Sequence, residues 1–129
     1  MTLLSPAGRD FVIERHLATL TTLRPDSSPH VTPVGFTWDD PAGRAYVICD
    51  ASSRKARNVG AGAPVALCQL DGRRWLTIEG TGRVSDDPSD VAYAVACYAR
   101  RYRQPRVNPT RVAIIIAARH VLGSAQLLG

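Results

Sequence analysis

The sequence predicts a mostly β protein of α+β composition, built round a small antiparallel barrel. About six strand-like runs are separated by turn residues at short spacing. The order is helix, strands, short helix, strands, long helix, strand, and helices appended to a barrel give the mixed composition. At 129 residues and 45% apolar content, one domain spanning residues 1–129 with one core is expected. No internal repeat or low-complexity tract divides it. So small a barrel has few residues to spare, and a homodimer that buries one face would stabilise it.

Each element has a local reason. Ser5 and Pro6 suit an N-cap and first helical position, and a short helix to about residue 15 would turn Phe11 and Val12 inward. Residues 17–23 mix leucine with threonine and read as a strand, and Arg24-Pro25-Asp26-Ser27-Ser28 is turn chemistry. Residues 29–38 form the second strand, with Thr32, Val34, Phe36 and Trp38 alternating against Val31, Pro33, Gly35 and Thr37. Pro33 cannot donate a ladder bond, so this strand is an edge or carries a bulge, and Gly35 permits close approach of another group. Asp39-Asp40-Pro41-Ala42-Gly43 turns into a third strand over residues 44–50. The segment Ser52-Ser53-Arg54-Lys55-Ala56-Arg57-Asn58 starts a short helix that Gly60, Gly62 and Pro64 end. Residues 65–70 are the fourth strand, and Asp71-Gly72 signals a hairpin into the fifth, residues 75–85. There Leu76, Ile78 and Val84 share a face with Gly80 and Gly82, which implies a sharp coil or another layer packed close; Thr77, Glu79, Thr81, Arg83 and Ser85 share the other. Asp87 caps and Pro88 opens the best helix, with Asp90 favouring its dipole and Val91, Ala94, Val95, Tyr98 and Tyr102 on one face. Arg100, Arg101 and Arg103 crowd its C-terminal end, and after Pro105 and Pro109 the last strand covers residues 111–118.

Charge narrows the partners. The chain has 15 arginines, one lysine and a net charge of +5, a balance that favours nucleic acid, a phosphorylated cofactor or carboxylate-rich ligands. Its lysine, Lys55, stands at the centre of the densest cationic cluster, at the start of the short helix. A helix N-terminus has unpaired N–H groups, and two hydroxyls, a lysine and two arginines add charge-assisted donors, so an anion site is preferred to a solvated basic helix. Cys49, Cys68 and Cys97 lie far apart and read as free thiols, and His16, His30 and His120 lack metal-ligand spacing. No apolar run is long enough to span a bilayer, and the start of the chain lacks a basic n-region ahead of an apolar h-region, so no membrane anchorage and a cytoplasmic location are expected.

No Gly-x-Ser-x-Gly elbow, P-loop or dinucleotide fingerprint occurs, and no pair of carboxylates stands out as acid and base. An enzyme of this sequence would need a cofactor that carries the reaction. Trp38 and Trp75 are expected in the core, with a stacking wall at a ligand mouth as the second reading of Trp75.

Leu17-Ala18-Thr19-Leu20-Thr21-Thr22, Ser28-Pro29-His30-Val31-Thr32-Pro33-Val34-Gly35-Phe36 and Ser53-Arg54-Lys55-Ala56-Arg57-Asn58 together resemble the flavin/deazaflavin oxidoreductases of the pyridoxamine-phosphate-oxidase-like superfamily. The likeness covers nearly the whole chain. Three later segments are more specific: Arg73-Arg74-Trp75-Leu76-Thr77-Ile78-Glu79-Gly80, the run Tyr98-Ala99-Arg100-Arg101-Tyr102-Arg103-Gln104-Pro105-Arg106-Val107-Asn108-Pro109, and Val121-Leu122-Gly123-Ser124-Ala125. They resemble the actinobacterial branch of F420-dependent biliverdin reductases.

That resemblance implies an FMN-binding-type split β-barrel with short flanking helices, homodimeric, with cofactor sites at the subunit interface. It implies coenzyme F420, with its phosphate on Ser52, Ser53, Lys55, Arg57 and Asn58. Its ring would lie against Thr32, Pro33, Val34 and Gly35, flanked by Ile48 and Asp50, with Trp75 as a further wall. It implies hydride transfer from the reduced deazaflavin to the central methine of biliverdin, the protein supplying near-attack geometry. No side chain stands out as the proton donor, which leaves water or substrate. Arg101, Arg103 and Arg106 are candidates for the substrate propionates by composition, the cationic end of a helix being the other reading. An FMN-dependent oxidase or reductase and a non-catalytic flavin-binding protein are the alternatives. A basic RNA-binding barrel is disfavoured by an aromatic content of 6%, and no nucleic-acid partner is expected.

Overall fold

In the computed structural model, which describes residues 3–129, the turn residues separate seven strands instead of six. They are β1 (Ala18–Leu23), β2 (Pro29–Val34), β3 (Thr37–Asp39), β4 (Arg44–Asp50), β5 (Ala63–Asp71), β6 (Arg74–Ser85) and β7 (Arg111–Gly123). Three helices accompany them: α1 (Pro6–Phe11), α2 (Arg54–Val59) and α3 (Pro88–Arg101). All pairings are antiparallel, in the order β2-β1-β5-β6-β7-β4-β3.

The extra strand arises because the expected second strand breaks at Gly35 and Phe36. Its first half pairs with β1, and its second half crosses to β4, with Thr37 opposite Tyr46 and Asp39 opposite Arg44. Both halves are sheet edges, so Pro33 sits where a missing N–H is harmless. Val34 on β2 and Val47 on β4 are five inter-strand steps apart in the sheet order, about 24 Å in a flat sheet, yet they belong to one buried cluster. The sheet is therefore curled round its core and left open between the two edges, as a split barrel.

Phe36, Leu20, Leu67, Leu76, Ile78, Ile114 and Ile116 fill the barrel, and Val59 of α2 packs among them. β7 is buried on both faces: Ile114 and Ile116 face the barrel, while Ala113 and Ile115 lie with Tyr46 and Ala94 in a second cluster under α3. This is why its sequence is a continuous apolar run. The same helix covers Ser85, whose hydroxyl donates to Asp90 at 2.6 Å.

Tertiary contacts move several ends. α1 stops at Phe11, short of residue 15, because the Phe11 carbonyl accepts from Gln69 Nε2 at 2.8 Å and the Glu14 carbonyl accepts from Arg101. β5 begins at Ala63, so Pro64 belongs to a strand and not to the helix terminus. β7 runs on to Gly123, past residue 118, because its pairing with β6 continues beyond a bulge between Glu79 and Gly80. A Cβ on Gly80 would stand 2.1 Å from the Ala117 carbonyl oxygen, so this glycine marks the sharp coil.

Trp38 packs against the core as expected, but Trp75 does not: it is 37% exposed. Strand parity decides this, since Leu76 beside it faces inward. All three cysteines are free. Among the described residues, no helix is long and apolar enough to cross a membrane.

Candidate active site

Where β2 leaves the sheet, a cleft of about 300 Å³ opens between the barrel edge and the start of α2. Pro33, Val34 and Gly35 come from the end of β2, and Ile48, Cys49 and Asp50 from the end of β4. Lys55 reaches in from α2, Tyr98 from α3, and Asn108 and Arg111 from the approach to β7. The close approach permitted by Gly35 is used by the chain's own rings. A Cβ there would lie 2.9 Å from Tyr98 Cε2 and 3.0 Å from Tyr102 Cε2. These tyrosines, one helical turn apart, pack with ring centroids 4.9 Å apart. Tyr102 is fixed by its hydroxyl, which donates to the His16 carbonyl at 2.7 Å and accepts from Phe36 N–H at 3.2 Å.

The charges divide into engaged and open groups. Asp50 accepts from the Ser52 hydroxyl and from Ser52 N–H at 2.9 Å, and also from the Thr110 hydroxyl and Asn108 Nδ2 at 3.2 Å. The Ser52 hydroxyl, then Thr110, hold its carboxyl far below the usual carboxylate range, so Asp50 is a permanent anion that ties the β4–α2 turn to the loop before β7. Burial pushes the Cys49 thiol up and keeps it protonated, which removes it as a nucleophile. Arg111 Nη2 donates to the Arg106 carbonyl at 2.7 Å. Lys55, half-buried, has no hydrogen bond or ion pair among the described residues. The cleft thus offers an open ammonium, a second cation and apolar and aromatic walls, with no nucleophile–base pair. Its open cation could accept an anionic ligand, and its side chains supply no nucleophile–base chemistry of their own.

Of the residues expected at the site, Pro33, Val34, Gly35, Ile48, Asp50 and Lys55 meet in this cleft. Thr32 sits one residue before it, opposite the buried Leu20. The polar residues near α2 have other partners. Ser52 bonds Asp50, and Ser53 caps the helix, its Oγ accepting from Ala56 N at 3.3 Å. Asn58 Nδ2 donates to Thr22 Oγ1 at 3.0 Å, joining the helix to β1. Arg57 is exposed in the last turn. Lys55 alone of this set lines the cleft. Trp75 shares the outward sheet face with Pro33, but the register Pro33–Thr19–Cys68–Thr77 places it three strands away and two residues further along, about 16 Å in a flat sheet.

Arg101 is engaged inside the fold. Its Nε and Nη2 donate to the Glu14 carbonyl at 3.0 and 2.7 Å, Nη2 also to Gln69 Oε1 at 2.8 Å, and Nη1 to the Phe36 carbonyl. That leaves it no free edge for a propionate, and the composition argument fails for this residue. Arg103 lines a neighbouring hollow, and Arg106 is exposed. Tyr98, Asn108 and Arg111 were missed by residue-level reasoning, although the run from Tyr98 to Pro109 carried family likeness.

Comparison with known proteins agrees with this architecture. The profile of the pyridoxamine 5'-phosphate oxidase family matches residues 4–124. The F420H(2)-dependent biliverdin reductase of Mycobacterium tuberculosis (strain CDC 1551 / Oshkosh) is 50% identical over 127 residues, spanning 98% of this chain and 93% of that protein. A conserved hypothetical protein of Mycobacterium tuberculosis superposes with a TM-score of 0.77 at 25% identity, covering 95% of this chain and 85% of the other. A solved F420 reductase superposes with a TM-score of 0.73 at 24% identity over 88% of this chain and 94% of its own, a likeness of fold.

Proposed function

The chain belongs to the pyridoxamine 5'-phosphate oxidase family, and from that premise we propose that it is a cytoplasmic F420-dependent oxidoreductase that reduces biliverdin to bilirubin. The observation that carries this reading is the unpartnered Lys55 ammonium in a cleft walled by Pro33, Val34 and Ile48, in a chain 50% identical to a reductase named for that cofactor and substrate. Three unpaired thiols suit a reducing compartment.

The residues present fit the cofactor. Lys55 and Arg111 would hold its phosphate, and Pro33, Val34, Ile48 and Tyr98 its flat ring. Coenzyme F420 carries an oligoglutamate tail, and Arg57, exposed on α2 outside the cleft, would meet it. When bound in reduced form, the deazaflavin supplies a hydride. The chain's own part is to orient the ring, exclude water along the apolar wall and set the donor–acceptor distance. Asp50, held ionised, keeps the β4–α2 turn in place and neither gives nor takes a proton.

A second copy of the chain completes the site in this reading. Leu23, Val31, Leu70 and Trp75 are exposed, and the strand register puts them on one outward face of β2, β1, β5 and β6. An isologous dimer would cover this face. Since Trp75 lies about 16 Å from Pro33 within one chain, it would wall the ring only from across that interface.

The test is anaerobic mixing of the protein with reduced F420 and biliverdin, followed by visible absorption. Appearance of the bilirubin spectrum with matching F420 oxidation is expected. Binding of F420 without turnover would sink the substrate assignment, and binding of FMN in place of F420 would sink the cofactor.

A further inference from the structure

Beside the cofactor cleft lies a second hollow of about 330 Å³, lined by Arg15, His16, Leu17, Tyr98, Tyr102 and Arg103. Tyr98 is common to both, so the two spaces share a wall. Arg15 occupies the link between α1 and β1, and the carbonyl of the residue before it and that of the residue after it are both held from the end of α3. Arg101 donates twice to the Glu14 carbonyl, and Tyr102 donates to the His16 carbonyl at 2.7 Å. The residue between those two carbonyls is therefore held at the rim. Its side chain is exposed and has no hydrogen bond or ion pair among the described residues, and the same holds for Arg103.

The nearby acids do not neutralise this pair. Arg74 donates to both oxygens of Glu14, at 2.7 and 2.8 Å, and also engages Asp71. His16 Nε2 faces the same two carboxylates, at 3.2 and 3.6 Å. Two guanidiniums thus line one hollow with no anion of the chain between them. A guanidinium's planar fork matches a carboxylate, and exposed Leu17 with the Tyr98 ring offers apolar surface for a pyrrole.

We propose that Arg15 and Arg103 form a carboxylate clamp that anchors the propionates of the tetrapyrrole beside the cofactor cleft. This rests on the function proposed above. The chemistry of the substrate requires such a neighbour: the two propionates sit on the two central pyrroles, which flank the methine carbon that is reduced. An anchor for them must lie next to the cofactor ring, and the hollow that shares Tyr98 with the cleft is there. Arg101 serves the clamp only by holding the peptide before Arg15.

The experiment uses the full chain loaded with F420 and compares wild type with Arg15→Gln and Arg103→Gln. Binding of biliverdin and of its dimethyl ester is read from the induced circular dichroism of the bound pigment, and F420 affinity from fluorescence. Each variant should weaken biliverdin binding roughly tenfold, leave F420 affinity unchanged and bind the uncharged ester as wild type does. Unchanged biliverdin affinity in Arg15→Gln, or an equal loss for the ester, overturns the clamp. If wild type binds F420 but not biliverdin, the proposed function falls and the clamp with it. If wild type reduces biliverdin while the variants match it, the clamp alone falls.

Discussion

Two cationic centres of this barrel differ in what surrounds them. Arg101 makes four hydrogen bonds, to carbonyls of Glu14 and Phe36 and to the side chain of Gln69, and its guanidinium stacks 4.7 Å from the Phe36 ring and 5.0 Å from the Tyr102 ring. Gln69, 1% exposed, extends the network to the Phe11 carbonyl. Desolvation pulls the Arg101 pKa down, but arginine stays charged in a protein, and here its donors are matched to acceptors. Lys55 stands in a cleft with no partner at all among the described residues. A satisfied cation joins elements of the fold; an unsatisfied one facing a cleft is left open to an anion.

The contrast can be broken at either end. The largest effect is expected from Arg101→Ala, which leaves the Glu14 and Phe36 carbonyls and Gln69 Oε1 without their donor. A loss of about 3 kcal/mol, read as a lower urea midpoint at unchanged slope, is expected. A loss under about 0.5 kcal/mol would show that water replaces the guanidinium freely. Next comes Lys55→Ala, with stability unchanged and F420 binding weakened about tenfold by fluorescence titration. Wild-type affinity would remove Lys55 from the phosphate site, and a fall in stability would mean that it holds the fold as Arg101 does.

The smallest effect sharpens the comparison through a third, half-buried charge cluster. Glu14 is held from 4.5 down to about 2, chiefly by the Arg74 hydrogen bond and then by His16. An acid whose folded pKa is depressed stabilises the fold above its unfolded value and loses that contribution as pH falls through the folded value. The thermal midpoint should therefore decline between about pH 4.5 and 2, and Glu14→Gln should flatten that limb. Because the group remains partly open to solvent, the change is small and fades in high salt. A Glu14→Gln curve superimposable on wild type at low salt would refute the coupling.

Local chemistry carried much of the fold. Asp87 and Pro88 open α3 as their cap and first-turn preferences require, and Gly72 takes a φ of 60° in the hairpin turn that Asp71-Gly72 announces. Pro33 marked its strand as an edge or a bulge, and the sheet makes it an edge. Trp75 was misread because tryptophan is usually buried, although the inward Leu76 next to it already fixed its outward parity. The candidate cleft was legible in Pro33, Val34, Gly35, Ile48, Asp50 and Lys55, but not in Tyr98, Asn108 or Arg111, which reach it from distant parts of the chain.

The sequence alone determined the mostly β character, the main turns, the interruption of normal pairing at Pro33 and the clustering of positive charge round Lys55, because each depends on backbone preferences and patterns within a few residues. Only the tertiary structure decided that Asn58 Nδ2 donates to Thr22, that Arg101 is internal, and that Arg15 and Arg103 face one hollow. The acceptors that engage Arg101 come from positions 14, 36 and 69. Identical side chains become structural or ligand-facing according to which carbonyls the folded sheet brings to them, and no local pattern encodes a contact made across such separations.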